Sequence, residues 1–559
     1  MYKDIGRNPA IRVLAVMGAV ALLVTACGNG TSNNNNSGQL AANQILRFPI
    51  NNDIGTFDPA QINAEVDAEF ANNFYDGLLK FNDQFKIVPD IASAMPDVSS
   101  DGLTYTFKLR KDVKFSNGDP VTAKDFIYSW DRAAVAQGPY GSELSQIVGY
   151  NDVTAKGATV KHMSGLTAPD DYTFVAKLTS PAGYFLTEVA AYTLATAVVD
   201  KKVVDADPDN WWTKPETLIG TGPFKMVART PKQSLDFAPV DNWWGSPKPT
   251  LKKVHVDVIE SLSSAIAKYE QGGYDIVGYG GMSTLPPDDV LRIKAGPHKG
   301  ELVFHTKVRT TWVSFNFTKG PFKDLTGPSK DLRMAFNLAI DRKALIDVAC
   351  AHGTTCAVAD GGLISKGLQG YLGDGADPLA KFDPAKAKQL LQSADPTGEK
   401  TKGLTYWTNP SELNKIVAEN LQSQWQANLG VHVDIQTVER QQYFQRQEKF
   451  EFILDRTGWQ ADYDHPQDWF DNLFISSAGN SADGYSNKAV DDLVAKADAM
   501  KLDDAIPLYK QAAQKMIDDV RYIPLYYTVG QFLFKPYLQG AGTNNFQDYY
   551  WSDIKVMQH

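Results

Sequence analysis

The chain has 559 residues and a formal net charge of −10 at pH 7, with 55 Lys plus Arg against 65 Asp plus Glu. Its 43% hydrophobic and 21% charged residues match a folded globular protein, which excludes wholesale disorder, collagen-like and disulfide-scaffold classes. The length favours two to four lobes, and the acidic balance without a long basic run argues against a nucleic-acid partner.

The first 27 residues have the pattern of an export signal. A basic start precedes an uncharged apolar run from Val13 to Val24, which is shorter than the ~20 residues that a spanning helix needs. The run ends in Val-Thr-Ala-Cys27, which resembles a bacterial lipobox. We predict a signal peptide over 1–26 and a lipid anchor on Cys27; an ordinary secretory signal with a coincidental Cys27 is the open alternative.

Residues 27–44 are rich in Gly, Ser and Asn and carry no charge, which predicts a flexible spacer. After Ile45 no segment is apolar for 18 residues, so no further membrane span is expected. Together these features predict a body held at the extracytoplasmic face of the cell membrane.

The body alternates strand-like and helical patterns, which indicates an α/β fold. Residues 103–109 alternate like a half-buried strand, and 431–435 do the same directly after a helical stretch that Gly430 ends. No repeat of fixed period occurs, so a solenoid or propeller is disfavoured. Helices are expected over 331–349, 411–429 and 487–500.

The two cysteines of the body are Cys350 and Cys356, six positions apart. In an exported protein such a pair favours a local disulfide. A metal site that also uses His352 is the alternative, but three ligands in one loop with no fourth are a weak zinc signal.

Sequence patterns of enzymes are missing. The chain contains no HExxH, no GxSxG and no Gly-Lys of a Walker A loop, so it offers neither a hydrolase nucleophile nor a nucleotide loop. We predict that the protein is not an enzyme and has no cofactor and no metal.

Motifs spread over the whole mature chain stand in a fixed order: YDGLL at 75–79, DGLTYTFKLR at 101–110, VKFSNGD at 113–119, GTGPF at 220–224, RMAFNLAIDR at 333–342, GWQADY at 458–463 and IPLY at 523–526. In this order they resemble the extracytoplasmic solute-binding proteins of peptide-type ABC importers (family 5), oligopeptide-binding branch. The co-linearity of the motifs is more specific than any one of them.

The resemblance implies an α/β, two-lobed periplasmic-binding-protein-like fold with an additional third lobe and a ligand cleft between the lobes. Lobe I would be discontinuous, while lobes II and III would each be one stretch of chain. The implied segments are 45–76, 206–312 and 529–559 for lobe I, 77–205 for lobe II, and 313–528 for lobe III.

The resemblance also implies the ligand and its anchors. The Asp of the Trp-x-Ala-Asp-Tyr motif, here Asp462, pairs with a peptide's α-ammonium in the family. Arg456 falls where the family can carry an Arg for the carboxylate of a short peptide. For Arg456 a structural salt bridge with Asp455 or Glu451 is the open alternative.

The remaining implied contacts lie on both sides of the cleft. Gly458 and Gln460 would offer backbone groups to the peptide, and Trp459 and Tyr463 complete the motif around Asp462. The other implied positions, where for the two tyrosines plain core is the open alternative, are Asn63, Ala64, Glu65, Tyr140 and Tyr527.

Two positions depart from well-known relatives. Arg440 stands where a Trp flanks a side-chain pocket, and Asn414 stands where a His helps to meet the carboxylates of longer peptides. The preferred peptide length and side chains are therefore expected to differ.

The sequence thus predicts a monomeric, lipid-anchored protein that captures oligopeptides and delivers them to an ABC permease. The alternatives are a same-fold binder of an oligosaccharide, nickel chelate or opine, and a peptide-sensing receptor without import. Asp462 argues against sugars, which have no ammonium to pair with it.

Overall fold

The computed structural model describes residues 38–62, 64–82, 86–191, 195–542 and 550–559, without the side chains of Glu65 and Arg440. The predicted signal peptide, most of the predicted spacer, Cys27 and Asn63 lie outside the described residues. None of the helices in this part of the chain is long and apolar enough to cross a bilayer.

The strands, numbered in chain order, are β1 (Ile45–Ile50), β2 (Leu79–Phe81), β3 (Ile87–Pro89), β4 (Asp97–Val98), β5 (Thr104–Lys108), β6 (Leu166–Asp170), β7 (Thr173–Lys177), β8 (Phe224–Thr230), β9 (Ser234–Pro239), β10 (Lys253–Val258), β11 (Ile276–Val277), β12 (Leu302–Phe315), β13 (Cys356–Val358), β14 (Thr405–Thr408), β15 (Asp434–Thr437), β16 (Leu454–Gln460), β17 (Tyr522–Phe534), β18 (Leu538–Gln539) and β19 (Lys555–Val556).

The α-helices are α1 (Glu65–Ala71), α2 (Ala123–Ala136), α3 (Tyr150–Thr154), α4 (Phe185–Ala190), α5 (Lys201–Ala206), α6 (Leu262–Glu270), α7 (Pro287–Ala295), α8 (Pro328–Leu338), α9 (Arg342–Ala349), α10 (Pro384–Ala394), α11 (Glu412–Leu429), α12 (Arg440–Gln447), α13 (Gln467–Trp469), α14 (Lys488–Asp498) and α15 (Leu502–Asp518). Short 3₁₀ turns occupy Gly141–Leu144, Pro378–Ala380 and Trp551–Asp553, and a π turn occupies Phe470–Phe474.

Three larger sheets organise the described strands. One has the order β1-β10-β9-β8, one has the order β4-β5-β7-β6, and a seven-stranded sheet has the order β11-β17-β12-β16-β14-β15, with β13 paired to β17. Helices pack on these sheets and the pairing is both parallel and antiparallel. The predicted α/β fold class is confirmed.

Separate hydrophobic clusters follow the lobes that the resemblance implies. One cluster centres on β1, β8–β10 and Trp551, a second on residues 60–198, and two more on residues 308–526. The boundaries themselves remain a proposal. Val199 and Val204 already pack into the first cluster, ahead of the boundary placed at residue 205.

A two-stranded ribbon connects lobe I to lobe III. β12 and β17 pair antiparallel from Leu302↔Leu533 to Ser314↔Tyr522. The first pair lies in a cluster with α6 and α7, whereas Val313 lies in the cluster of lobe III. The register shifts between Thr306 and Thr310, so the ladder is interrupted where the ribbon passes from one lobe to the other.

Several predicted elements are confirmed, and one is wrong. Helix α11 begins after Ser411, whose hydroxyl accepts the Asn414 N–H (3.0 Å), and ends at Gly430 in a left-handed conformation. The strand predicted at 431–435 begins three residues later, as β15. The predicted strand 103–109 and helix 487–500 appear as β5 and α14.

The helix predicted over 331–349 is two helices, α8 and α9. The chain breaks at Asp341, whose side chain accepts the backbone N–H groups of Lys343 (3.0 Å) and Ala344 (3.1 Å). An apolar period continues through both helices, so it does not reveal this internal N-cap.

The glycines of the GTGPF motif allow the chain to pass directly over another stretch of backbone. A Cβ on Gly220 would lie 2.0 Å from the carbonyl oxygen of Phe74, and one on Gly222 would lie 2.7 Å from that of Asn73. The motif is therefore a packing device at the start of β8, and it leaves no room for a phosphate-binding loop.

Cys350 and Cys356 form a disulfide at the start of β13, as predicted. His352 instead contacts Asp347, with 2.8 Å between Nδ1 and Oδ1. The alternative metal site, which needs two thiolates, is not formed in this structure.

Removal of this disulfide is expected to have a modest effect on stability. A Cys350→Ser, Cys356→Ser double variant should lose at most ~2 kcal/mol of unfolding free energy, because closure of so short a loop removes little chain entropy. Denaturant unfolding of wild type and variant measures the difference. Thiol labelling of the exported, denatured wild type should find neither sulfur reactive, and two labelled thiols would contradict the disulfide.

Candidate functional site

A cavity of about 500 Å³ lies between the lobes, lined by groups from all three. Lobe I contributes Ala64 and Glu69, lobe II contributes Tyr140, and lobe III contributes the edge of β16 from Arg456 to Tyr463. This volume is within the ~300–1,000 Å³ of ordinary ligand sites. Its lining contains both polar and apolar side chains.

Strand β16 sets the floor of the cavity. It pairs antiparallel with β12, with Gly458 opposite Thr311, and its last sheet bond is Ala461 N–H to Val308 C=O (2.9 Å). The chain then leaves the sheet and turns into α13. Asp462 therefore stands at the end of a fixed strand, where its backbone is held by the sheet on one side and by the helical turn on the other.

The Asp462 carboxylate is half-buried and connects lobes II and III. Its Oδ1 accepts the Tyr140 hydroxyl (3.0 Å), and its backbone N–H donates to Asp468 Oδ2 (3.3 Å). Burial and then the nearby charge of Glu143 raise the pKa of Asp462 to about 7, against the lowering effect of the Tyr140 and Asp468 hydrogen bonds. No Lys, Arg or His among the described residues forms an ion pair with it.

Arg456 lies at the other end of this edge and is 9% exposed. Its guanidinium extends over Gly458, since a Cβ there would lie 3.2 Å from Nη2. Its Nε has no hydrogen-bond partner among the described residues. Asp455 instead bonds to Tyr443 (3.0 Å), and Glu451 pairs with Arg446 (2.8 Å), so neither salt bridge of the alternative interpretation is formed.

The structure brings most of the other predicted residues to the same cavity. Trp459, Gln460 and Tyr463 line it, and the Trp459 indole N–H donates to Asp468 Oδ2 (3.1 Å). On the opposing side Ala64 lines the cavity and Glu65 begins α1.

Two positions, Tyr527 and Asn414, lie outside the lining of the cavity. Tyr527 does not line it: its hydroxyl donates to the Gly362 carbonyl (2.7 Å) inside lobe III, which favours the core alternative. Asn414 is buried in the first turn of α11 and donates to the Asn409 carbonyl (3.0 Å). Arg440 begins α12.

Sequence reasoning missed three acidic groups behind Asp462. Glu143 and Glu188 come from lobe II, and Asp468 comes from the helical turn after β16. Only Asp468 had a sequence signal: it lies six residues after Asp462 and follows a Pro, which is compatible with a turn that brings the two residues together. Glu143 and Glu188 lie on separate elements with no shared spacing, so no local pattern could have found them.

A family model described as bacterial extracellular solute-binding proteins, family 5 Middle, matches residues 86–481. The chain belongs to this family. Family 5 membership accounts for the motif order and for the cavity between lobes.

Several relatives are named as peptide-binding proteins. The chain is 27% identical to the periplasmic oligopeptide-binding protein OppA of Haemophilus influenzae, covering 90% of this chain and 92% of the relative. It is 28% identical to the periplasmic murein peptide-binding protein MppA of Escherichia coli, covering 93% and 94%. The structure of H. influenzae OppA with the peptide RPPGFSPFR matches with a TM-score of 0.73 at 26% identity, covering 93% of this chain and 100% of the other.

Proposed function

We propose that this protein captures oligopeptides outside the cytoplasm and delivers them to an ABC permease. The observation that carries the proposal is Asp462, a half-buried carboxylate at the edge of the cavity with no cationic partner among the described residues. A carboxylate partly withdrawn from water is favoured as an anion beside a positive charge, and a peptide's α-ammonium supplies one. The names of the relatives support the same ligand class.

The edge of β16 suits an extended backbone. Gly458 and Gln460 lie on the cavity side of the seven-stranded sheet, where main-chain groups of a ligand can pair with them. At the end of the β16 edge opposite Asp462, Arg456 has an Nε without a hydrogen-bond partner among the described residues, and its guanidinium can bind a ligand's carboxylate. An ammonium partner, a backbone edge and a carboxylate partner in one line fit a short peptide better than a sugar, a nickel chelate or an opine.

Two measurements test the ligand class. Native mass spectrometry of the purified protein should find peptides retained from the host, because a closed cleft releases ligands slowly. Isothermal titration with mixed tri- to pentapeptides should show binding, while matched titrations with oligosaccharides, nickel chelates and opines should not. Tight binding of one of these solutes with no binding of peptides would contradict the proposal.

The delivery role requires an anchor and a permease but no reaction. We propose that the protein is a monomer, is not an enzyme, and is held at the extracytoplasmic face of the cell membrane by lipid on Cys27. ATP hydrolysis then belongs to other subunits of the importer. A sensing role without import would leave peptide uptake unchanged when the protein is deleted, which a transport assay detects.

The anchor has a direct test. Cys27→Ser should release the protein into the medium or leave an uncleaved precursor, because the thiol is the acceptor of the lipid. Membrane fractionation followed by immunoblotting measures this. A mature-sized variant that stays with the membrane would rule out the lipobox interpretation.

A further inference from the structure

A second cavity, of about 440 Å³, opens on lobe III and shares no lining residue with the cavity between the lobes. Its walls come from the start of α9, from the end of β13 with the residues after it, and from the segment that leads into α10. The volume is again that of an ordinary ligand site. Most of its lining residues are charged.

The most buried lining residues form a fixed polar base. Arg342 is 2% exposed, and its guanidinium donates to the carbonyl oxygens of Pro524 (2.6 Å) and Ile340 (2.9 Å). Asp377 is also 2% exposed and accepts the Tyr522 hydroxyl (2.8 Å). Because Pro524 and Tyr522 belong to β17, the base of the cavity is tied to the central sheet of lobe III. The cavity is therefore formed before any ligand binds.

Three of the lining charges are balanced inside the protein. Arg342 and Asp377 lie close enough for their opposite charges to attract each other. Asp341 caps α9, where its carboxylate accepts the backbone N–H groups of Lys343 (3.0 Å) and Ala344 (3.1 Å). The helix dipole favours a negative charge at that end. These three groups leave no charge over for a ligand.

The other three lining charges have no partner in the part of the chain that the structure describes. Lys343 and Lys381 are exposed, and neither ammonium forms an ion pair or a hydrogen bond there. The half-buried carboxylate of Asp360 accepts no hydrogen bond there either. The two lysines thus share a cavity with Asp360 but do not pair with it, so an occupant that carries both signs of charge can bridge them.

The unpaired charges specify the chemistry of that occupant. Two ammonium groups suit two carboxylates, and one carboxylate suits one ammonium. A free amino acid with an acidic side chain carries these three groups on a short apolar stem. Phe382 lines the same cavity and is 44% exposed, so its ring offers the stem an apolar surface. A neutral or basic amino acid would leave at least one lysine unpaired.

We propose that this cavity is a second binding site, specific for acidic amino acids, in which Lys343 and Lys381 bind the two carboxylates and Asp360 binds the ammonium. The site goes beyond the proposed function and does not depend on it, because none of its groups belongs to the cavity between the lobes. An acidic amino acid can therefore bind whether that cavity is empty or occupied.

Saturation-transfer NMR of the full exported chain, titrated with L-glutamate, measures binding at this site. Lys343→Gln and Lys381→Gln should each weaken glutamate binding about threefold, and together about tenfold, which is the usual range for charge pairs in contact with water. Lys366→Gln is the matched control. Lys366 is an exposed lysine between β13 and α10 that pairs with Asp374 (2.7 Å) and does not line the cavity, so its variant should bind glutamate as wild type does.

Single groups can also be removed from the ligand. L-Glutamine lacks one carboxylate and glutarate lacks the ammonium, so each should bind wild type about threefold more weakly than glutamate. Asp360→Asn should bind glutamate and glutarate alike, because the partner of the ammonium has been removed. A merely structural role of Asp360 would weaken both ligands by the same factor and keep the preference for glutamate. Far-ultraviolet circular dichroism checks that each variant folds.

Three results would refute the inference: no binding of glutamate, equal binding of glutamate and glutarate to wild type, or unchanged glutamate binding in the Lys343→Gln, Lys381→Gln double variant. Arg456 in the cavity between the lobes is another group that suits a carboxylate. Loss of glutamate binding in Arg456→Gln but not in the double variant would place the glutamate there and would likewise refute the second site. Peptide binding enters none of these measurements, so failure of the proposed function would leave this test unaffected.

Discussion

Asp462→Asn is expected to weaken binding of free-amine peptides by two to three orders of magnitude while leaving the fold intact. In the closed cleft the ligand's ammonium would lose the carboxylate that contacts it directly, and breaking a buried charge pair costs roughly 3–5 kcal/mol, at about 1.4 kcal/mol per tenfold in affinity. The variant keeps a hydrogen-bonding side chain for the Tyr140 hydroxyl. Isothermal titration with a mixed tri- to pentapeptide library measures the loss.

The same interaction can be removed from the ligand's side. N-acetylation of the peptide should weaken binding to wild type by a similar factor at neutral pH and should cost little more on Asp462→Asn, because coupled groups are not additive. Asp464→Asn, which changes a half-buried carboxyl that accepts the Gln369 backbone N–H (2.7 Å), serves as the control and should bind free-amine peptides as wild type does. Equal affinity of Asp462→Asn and wild type would remove Asp462 as the anchor and favour the non-peptide ligands.

Gly183→Ala is expected to lower ligand affinity by one to two orders of magnitude by obstructing closure. The Cβ that alanine adds would lie 1.5 Å from the carbonyl oxygen of Met500, on the opposite lobe, where the partner is rigid backbone. Overpacking of this kind costs about 1–3 kcal/mol, which corresponds to roughly five- to 150-fold in affinity. Titration calorimetry gives the affinity, and dye energy transfer reports the closed fraction.

A glycine in open space separates this effect from a general loss of chain flexibility. Gly300 has nothing within 4 Å of its added Cβ, so Gly300→Ala should bind as wild type does. The melting temperature of unliganded Gly183→Ala should stay close to that of wild type, since the clash arises between lobes. A lowered melting temperature with unchanged affinity would mean that Gly183 acts within the fold of its own lobe.

Sequence patterns predicted the secondary structure correctly where it depends on neighbouring residues. The helical pattern of 411–429, the stop at Gly430 and the alternation in 103–109 each depend on neighbouring residues, and the structure has the expected elements there. The motif around Asp462 identified the cavity edge because strand β16 supplies several of its groups in succession. Asp341 was missed because a capping side chain inside a continuous apolar period leaves the period unchanged.

The contact between lobes II and III could not be predicted in the same way. Glu143 and Asp462 are 319 positions apart, and their proximity results from packing of two lobes. Burial of several acids together also contradicts the composition-level expectation that charged residues stay in water. Tyr527 is the opposite case. Its place in a motif did not reveal whether its side chain would line the cavity or bond inside lobe III, as it does.

Trp551 has a consequence for the time course of folding. Its fully buried ring packs against the rings of Phe48, Phe70, Phe74, Phe224 and Phe237, with centroids 5.1–6.1 Å apart. The hydrophobic core around the N-terminal segment of lobe I is therefore completed by a residue close to the C-terminus. In an exported chain, lobe I can therefore complete its core only after the end of the chain has followed its start out of the cytoplasm. A chain truncated before Trp551 would leave a cavity at the centre of lobe I, whatever the state of lobes II and III.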